Sequence, residues 1–147
     1  MAFRFALAPL LRLRQSIERQ RALALQEASL RVSRTQETLA HLDRFLANSA
    51  QSDSASLAAG RTAAELQFAD LCRDNLQRFR QDLQSNIRKL ELLRQQAAGE
   101  YQQAYREREV LDTLRVRQRR VYQQEQLRRQ QREVDSVFLL QRWHRRD

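Results

Sequence analysis

Apolar residues recur at alternating steps of three and four along most of this chain, which is the spacing of a coiled-coil seam. In the first half this stripe comprises Leu25, Ala28, Val32, Thr35, Leu39, Leu42 and Leu46. In the second half it comprises Leu76, Phe79, Leu83, Ile87, Leu90, Arg94, Ala97, Tyr101, Ala104, Arg108, Leu111, Leu114, Gln118 and Val121. The pattern predicts two long amphipathic helices, each with one narrow apolar face.

The start of the first helix has a less regular pattern. Leu10, Leu13 and Ile17 form a stripe that joins Leu25 only through successive steps of four at Arg21. Such a stutter locally unwinds a supercoil. We therefore expect an irregular seam in this region.

The one shift in composition lies between the two stripes, in residues 48–61. Ser, Asn and Asp are frequent there, and these residues favour caps and turns over helix interiors. The pattern predicts a first helix over about residues 8–47, a turn region over 48–61, a second helix over about 62–140 and a frayed tail over 141–147.

This organisation predicts an all-α fold: a single elongated coiled-coil domain over residues 1–147, built as a two-helix antiparallel hairpin. The second helix is much longer than the first, so its last part lacks a helical partner or is covered by Phe3, Phe5 and Leu7. Candidate N-caps of the second helix are Ser52, Asp53 and Ser54.

Composition supports helices and gives no sign of catalysis. The 147 residues include two Gly, one Pro and one Cys, too few turn formers for an ordinary layered domain and too few cysteines for an internal disulfide. We predict that Cys72 is a small buried thiol. Phosphate-binding loops, metal-ligand spacings and nucleophile–base pairs are not found, so no enzyme activity, cofactor or metal is expected.

The net charge of +9 is concentrated toward the C-terminus, where residues 115–147 hold ten Arg against four acids. An antiparallel hairpin brings this segment beside the basic N-terminal segment. The cluster comprises Arg115, Arg117, Arg119, Arg120, Arg128, Arg129 and Arg132. It is compatible with a solvated helix, with docking to an acidic protein surface or with binding to a phosphate backbone. Nucleic acid is the weaker interpretation because Tyr105 and Tyr122 do not form a stacking platform.

Two sequence motifs stand near the ends of the chain. The first is Phe3-Arg4-Phe5-x-Leu7-x-Pro9-Leu10-Leu11-x-x-Arg14, and the second is Leu111-x-x-Leu114-x-x-x-Gln118-x-x-x-Tyr122-x-x-Glu125-x-x-Arg128-x-Gln130-x-x-x-Val134-Asp135. Together with the chain length, they resemble the FliJ family of flagellar export proteins over essentially the whole chain. The injectisome stalk proteins share this architecture and are a second candidate.

The resemblance implies a non-enzymatic cytoplasmic component of the flagellar type III protein export apparatus. It would be a central stalk inserted in the hexameric export ATPase, promoting its assembly and activity and coupling it to the export gate. The implied partners are that ATPase, the cytoplasmic domain of an export-gate membrane protein and substrate chaperones, with peripheral inner-membrane association through these partners. Nucleic acid is not an expected partner.

The charge distribution and the resemblance together give two candidate surfaces for binding partner proteins. The ATPase-binding residues, at the basic end, are Leu10, Leu11, Arg14, Leu111, Leu114, Arg115, Arg119, Arg120, Val121 and Arg128. By resemblance, the export-gate patch falls on Thr38, Leu42, Phe45, Cys72, Leu76, Phe79 and Leu83. Because Leu42 and Leu76 also lie on the predicted seams, we favour a core role for those two.

Two other classes of protein fit the residues. One is a basic coiled coil that binds nucleic acid, and the other is a purely structural coiled-coil scaffold. A filament former should sustain unbroken heptads, and both the stutter and the charged seam positions argue against this.

Overall fold

The computed structural model describes residues 3–57 and 60–144, and these form two helices: α1 (Ala8–Leu57) and α2 (Ala63–His144). The described residues contain no strand. The helices pack against each other in antiparallel orientation, so that Arg21 of α1 pairs with Glu100 of α2 while Asp43 pairs with Arg80. The two-helix hairpin with a longer second helix is thereby confirmed.

Helix α1 extends about ten residues further than the sequence pattern predicts, ending at Leu57 instead of near residue 47. Ser-rich sequence does not terminate it because the hydroxyl groups can bond within the helix: Ser49 Oγ donates to the Leu46 carbonyl at 2.9 Å. Ser52, Asp53 and Ser54 therefore lie inside α1, and none of them caps α2.

A capping box starts α2 at the other side of the turn. The Thr62 backbone N–H donates to Glu65 Oε2 at 3.0 Å, and the Glu65 N–H reaches Thr62 Oγ1 at 3.5 Å. These reciprocal bonds satisfy N–H groups that lack partners within a helix. Just before them, Gly60 adopts a φ of 84°, a left-handed conformation that glycine reaches without steric cost.

The C-terminal part of α2 also differs from expectation. Residues 141–144, predicted to fray, are helical, and residues 145–147 lie outside the described residues.

The chain divides into two compact units, each with a segment of both helices. Unit 1 contains the described residues up to Arg19 and those from Gln103 onward, and unit 2 contains Gln20–Gln102. Among the described residues, the buried apolar side chains are Leu11 and Ala104 in unit 1 and Val32 in unit 2. Each unit thus rests on a thin interface between two helices.

In unit 1 the seam is shifted from the predicted stripe. Leu10 and Leu13 are exposed, whereas Leu11 between them is 3% exposed. Near the other side of the unit, Val121 is exposed and Tyr122 is half-buried beneath Phe3, with the two ring centroids 5.7 Å apart. The predicted cover of the C-terminal segment by the N-terminal aromatic residues is therefore present at Tyr122.

Unit 2 follows the predicted stripe, whose members are buried or half-buried except at Phe79. Phe79 is exposed, and Arg80 takes the seam position because its Nε donates to Asp43 Oδ1 of α1 at 2.6 Å. At the predicted stutter, Ala22 is half-buried while Arg21 is exposed and pairs with Glu100. At these two places in unit 2, the residue on the interface side is the charge-paired Arg80 and the short Ala22.

Candidate functional site

Charge is distributed very unevenly between the two units. By sequence, unit 1 carries sixteen of the 27 basic residues and eight of the 18 acidic ones, a net charge of +8, which leaves +1 for unit 2. A field of one sign raises the rate of encounter with an acidic partner. Unit 1 is therefore the candidate surface for such a partner.

The basic surface of unit 1 covers more than half of the circumference of α2. Every residue from Arg115 to Val121 is exposed, and seven consecutive residues span about two helical turns. This stretch includes the predicted contacts Arg115, Arg119, Arg120 and Val121. It therefore presents arginine and valine side chains over an arc of about 240° around the helix axis, and Gln118 lies in the remaining sector.

The remaining predicted contacts in unit 1 are placed differently. Leu10 and Arg128 are exposed, and Leu111 and Leu114 are half-buried. Leu11 packs in the interior, so in this structure it supports the surface and is not part of it.

A shallow groove on α2, missed by the sequence pattern, adds apolar area to this surface. The groove has a volume of about 430 Å³ and is lined by Glu109, Val110, Thr113, Leu114 and Arg117. Val110 is 67% exposed, and it is not on the predicted seam. An apolar residue off the seam was the sequence signal that could have found it.

Paired charges anchor the two helices of unit 1 beside this surface. Arg108 Nε donates to Glu18 Oε2 at 2.8 Å, and its Nη1 donates to Asp112 Oδ2 at 2.8 Å. These hydrogen bonds, first that to Glu18, raise the pKa of Arg108 further above its ordinary range. Its guanidinium carbon also lies 4.9 Å from the centre of the Tyr105 ring, a cation–π contact. Arg14, a predicted contact, is paired with Glu107.

Unit 2 exposes a second, largely apolar surface. Phe45, Cys72 and Phe79 of the predicted gate patch are all exposed, so the expectation of a buried Cys72 is wrong. Thr38 is exposed as well, with its hydroxyl donating to the Arg34 carbonyl at 3.0 Å. These side chains flank the helix interface instead of filling it.

The other predicted members of the patch belong mainly to the seam. Leu42, Leu76 and Leu83 are half-buried. The same surface gains Phe68, which is 70% exposed and lies one helical turn before Cys72. Sequence reasoning missed Phe68 because it lies outside the regular seam.

Neither a metal-binding cluster nor a helix suited to cross a membrane is found in the described ranges. There, no group of three or more His, Cys, Asp or Glu side chains is arranged to hold a metal ion. No helix in those ranges combines the length and apolar character that crossing a lipid bilayer requires.

The chain is thus a helical hairpin with two candidate docking surfaces. One is the basic surface of α2 in unit 1, and the other is the largely apolar surface of unit 2. The family model for the flagellar FliJ protein matches residues 3–147. The chain therefore belongs to the FliJ family, and it is a component of the flagellar export apparatus. No curated protein and no solved structure gives a significant match.

Proposed function

We propose that the hairpin is the central stalk of the hexameric flagellar export ATPase and that unit 1 is the part held by the ring. It promotes assembly and activity of the ATPase and contributes no catalytic group. The observation that carries this proposal is the exposure of every residue from Arg115 to Val121.

A partner that contacts only one side of a helix places no requirement on the opposite side, which can then carry polar, uncharged residues. Here the four exposed arginines cover an arc of about 200° around the helix axis, and Val116 and Val121 are exposed within or beside that arc. This distribution fits a partner that encloses the helix, as the bore of a ring does. An acidic bore would increase the association rate by electrostatic steering, and apolar contacts at Leu10, Val110 and Leu114 would slow dissociation.

Unit 2 fits a different partner in the same apparatus. We infer that Phe45, Phe68, Cys72 and Phe79 contact the cytoplasmic domain of the export-gate protein, which couples the gate to the ATPase. Phe is one of the aromatic residues that are enriched at protein interfaces relative to the rest of the surface. Escort of substrate chaperones belongs to the same proposal and would use the exposed helix faces of the hairpin. Association with the inner membrane would then follow from these partners.

The test compares two triple charge reversals. Arg115→Glu, Arg119→Glu and Arg120→Glu together should weaken binding to the export ATPase and abolish its stimulation, with unchanged helicity by circular dichroism. The matched control reverses three exposed arginines of unit 2: Arg34→Glu, Arg78→Glu and Arg88→Glu. The control should stimulate ATP hydrolysis as the parent does.

The result against the proposal is full stimulation by the first triple variant. A second measurement addresses nucleic acid, the alternative partner of a basic helix. Binding to a phosphate backbone falls with salt by a log–log slope of about −0.9 per neutralised contact. We expect only weak DNA or RNA binding at physiological ionic strength, and sub-micromolar affinity there would replace the stalk proposal with nucleic-acid binding.

A further inference from the structure

Arg108 of α2 is bonded on both edges of its guanidinium group and covered on one face. Its Nε donates to Glu18 Oε2 at 2.8 Å and its Nη2 donates to Glu18 Oε1 at 3.2 Å, so two hydrogen bonds of a charged pair reach α1. Its Nη1 donates to Asp112 Oδ2 at 2.8 Å, and the Tyr105 ring lies against its face. We call these four residues the clamp.

The clamp is more covered from solvent than the other ion pairs in the described part of the chain. The side chains of Arg108 and Glu18 are 23% and 17% exposed, whereas those of Arg80 and Asp43, which join the helices in unit 2, are 38% and 42% exposed. Salt screens a covered pair less than an exposed one. All three guanidinium nitrogens of Arg108 already donate within the hairpin, so Arg108 acts inside unit 1 and not as a contact for a partner protein.

The part of α1 that the clamp holds has few strong attachments to α2. We call residues 3–19 the N-terminal segment. Leu11 is the one buried apolar side chain among its described residues. Arg14 pairs with Glu107, and both of these side chains are more exposed than those of the clamp pair. A segment with so little buried surface can open locally while the rest of the hairpin stays folded.

We propose that Arg108 is a positioning residue that keeps the N-terminal segment on α2, so that the export ATPase meets both helices at once. The proposal rests on the stalk function, in which the ring contacts Leu10 of α1 together with residues 115–121 of α2. Without the clamp, the N-terminal segment is detached part of the time, and only the docked fraction presents both helices. The apparent affinity for the ring then falls in proportion to that fraction.

Two substitutions break the clamp while they change the net charge in opposite directions. Arg108→Gln lowers the net charge of unit 1 from +8 to +7 and leaves the carboxylates of Glu18 and Asp112 without their shared cation. Glu18→Gln raises the charge to +9 and leaves Arg108 paired only within α2. If Arg108 served only to attract an acidic ring, the first variant would bind more weakly and the second more tightly.

A positioning role predicts weaker ATPase binding for both variants. The loss should be about fivefold if the docked fraction falls to one fifth. Binding is compared at a temperature where circular dichroism shows full helicity, so that detachment of the N-terminal segment is not confused with unfolding of the hairpin.

Detachment is measured directly and without the ATPase. Spin labels at Ser16→Cys and Thr113→Cys, two exposed positions of unit 1, report the distance between α1 and α2 in a Cys72→Ser background. We expect one narrow distance distribution for the parent and a broad one for both clamp variants.

A covalent tether supplies the rescue. Glu18→Cys with Arg108→Cys leaves the net charge unchanged, and a short bismaleimide can join the two thiols in the same Cys72→Ser background. The affinity for the ATPase should be low before the two residues are joined and equal to that of the parent afterwards. A tether could not restore binding if the guanidinium of Arg108 itself contacted the ring.

Arg80→Gln is the matched control, because it breaks the ion pair with Asp43 that joins the helices in unit 2. It should leave the label distance in unit 1 and the affinity for the ATPase as they are in the parent. An equal loss of affinity in this variant would mean that any weakening of the hairpin lowers binding, and the proposal for Arg108 would be wrong.

Three further results would overturn the proposal: a narrow distance distribution with Arg108→Gln, tighter ATPase binding with Glu18→Gln, and low affinity that persists after the tether has formed. The label distances test the clamp even if the stalk proposal fails. If the triple reversal at Arg115, Arg119 and Arg120 stimulates the ATPase fully while Arg108→Gln broadens the distances, the stalk proposal is wrong and the attachment of the N-terminal segment by Arg108 is supported.

Discussion

Replacing Leu11 by Ala should lower the free energy of unfolding by about 2–4 kcal/mol. Leu11 is 3% exposed, and the substitution removes three carbon groups from the interior of unit 1. At about 0.8 kcal/mol for each buried group, the lost transfer free energy is about 2.4 kcal/mol. A cavity that the helices cannot close adds to this value.

The neighbouring residue Leu13 supplies the control, because the same chemical change there removes groups that are 55% exposed. Leu13→Ala should therefore cost about 1 kcal/mol. Urea unfolding followed by circular dichroism measures both variants, and the dependence on urea should stay equal to that of the parent. Equal losses for the two variants would refute the placement of Leu11 inside and Leu13 outside the interface.

Further predictions concern the turn, an ion pair and the apolar surface of unit 2. Thr62→Ala should lower the free energy of unfolding by about 1 kcal/mol because it removes an N-cap, as measured by urea unfolding. The hydrogen bond from Arg94 holds the pKa of Glu91 below its ordinary value of 4.5, so the carboxylate stabilises the fold above that pH and less as pH falls through the lowered pKa. Glu91→Gln should accordingly be less stable than the parent at neutral pH and equally stable in strong acid. Phe45→Ala with Phe79→Ala should cost about 2 kcal/mol of stability, since each ring is about half exposed, and should weaken binding to the export-gate domain in a pull-down titration under conditions where circular dichroism shows full helicity.

The class of fold follows from local properties of the sequence, and these are visible without a structure. Heptad spacing, scarce turn formers and one polar interruption are enough to predict two helices and a hairpin. The helix boundary near Leu57 was not predicted because Ser only weakly disfavours a helix, so propensity alone does not decide where α1 stops. The signal that was present, Thr62 followed three residues later by Glu65, marks the start of α2 and not the end of α1.

Which of two neighbouring residues faces the other helix depends on contacts with residues that are distant in sequence. Arg80 displaces Phe79 from the interface because Asp43 of α1 lies opposite it, 37 residues away in sequence. Cys72 is exposed for a related reason: it shares a flanking stripe with Phe68, outside the narrow strip that one partner helix can cover. The periodic pattern locates this strip correctly at most positions, but it cannot show where a contact with a distant residue favours the neighbour.

The thin interface between the helices has a consequence for how this sequence can change over generations. Few positions in the described chain need a particular shape: the buried side chains Leu11, Val32 and Ala104, and the left-handed residue Gly60. Apart from the capping box and the ion pairs between the helices, a substitution elsewhere has only to preserve helix formation and the alternation of apolar and polar residues. Most of the chain can therefore change in sequence while the hairpin persists. The surfaces that bind partner proteins then limit sequence change the most.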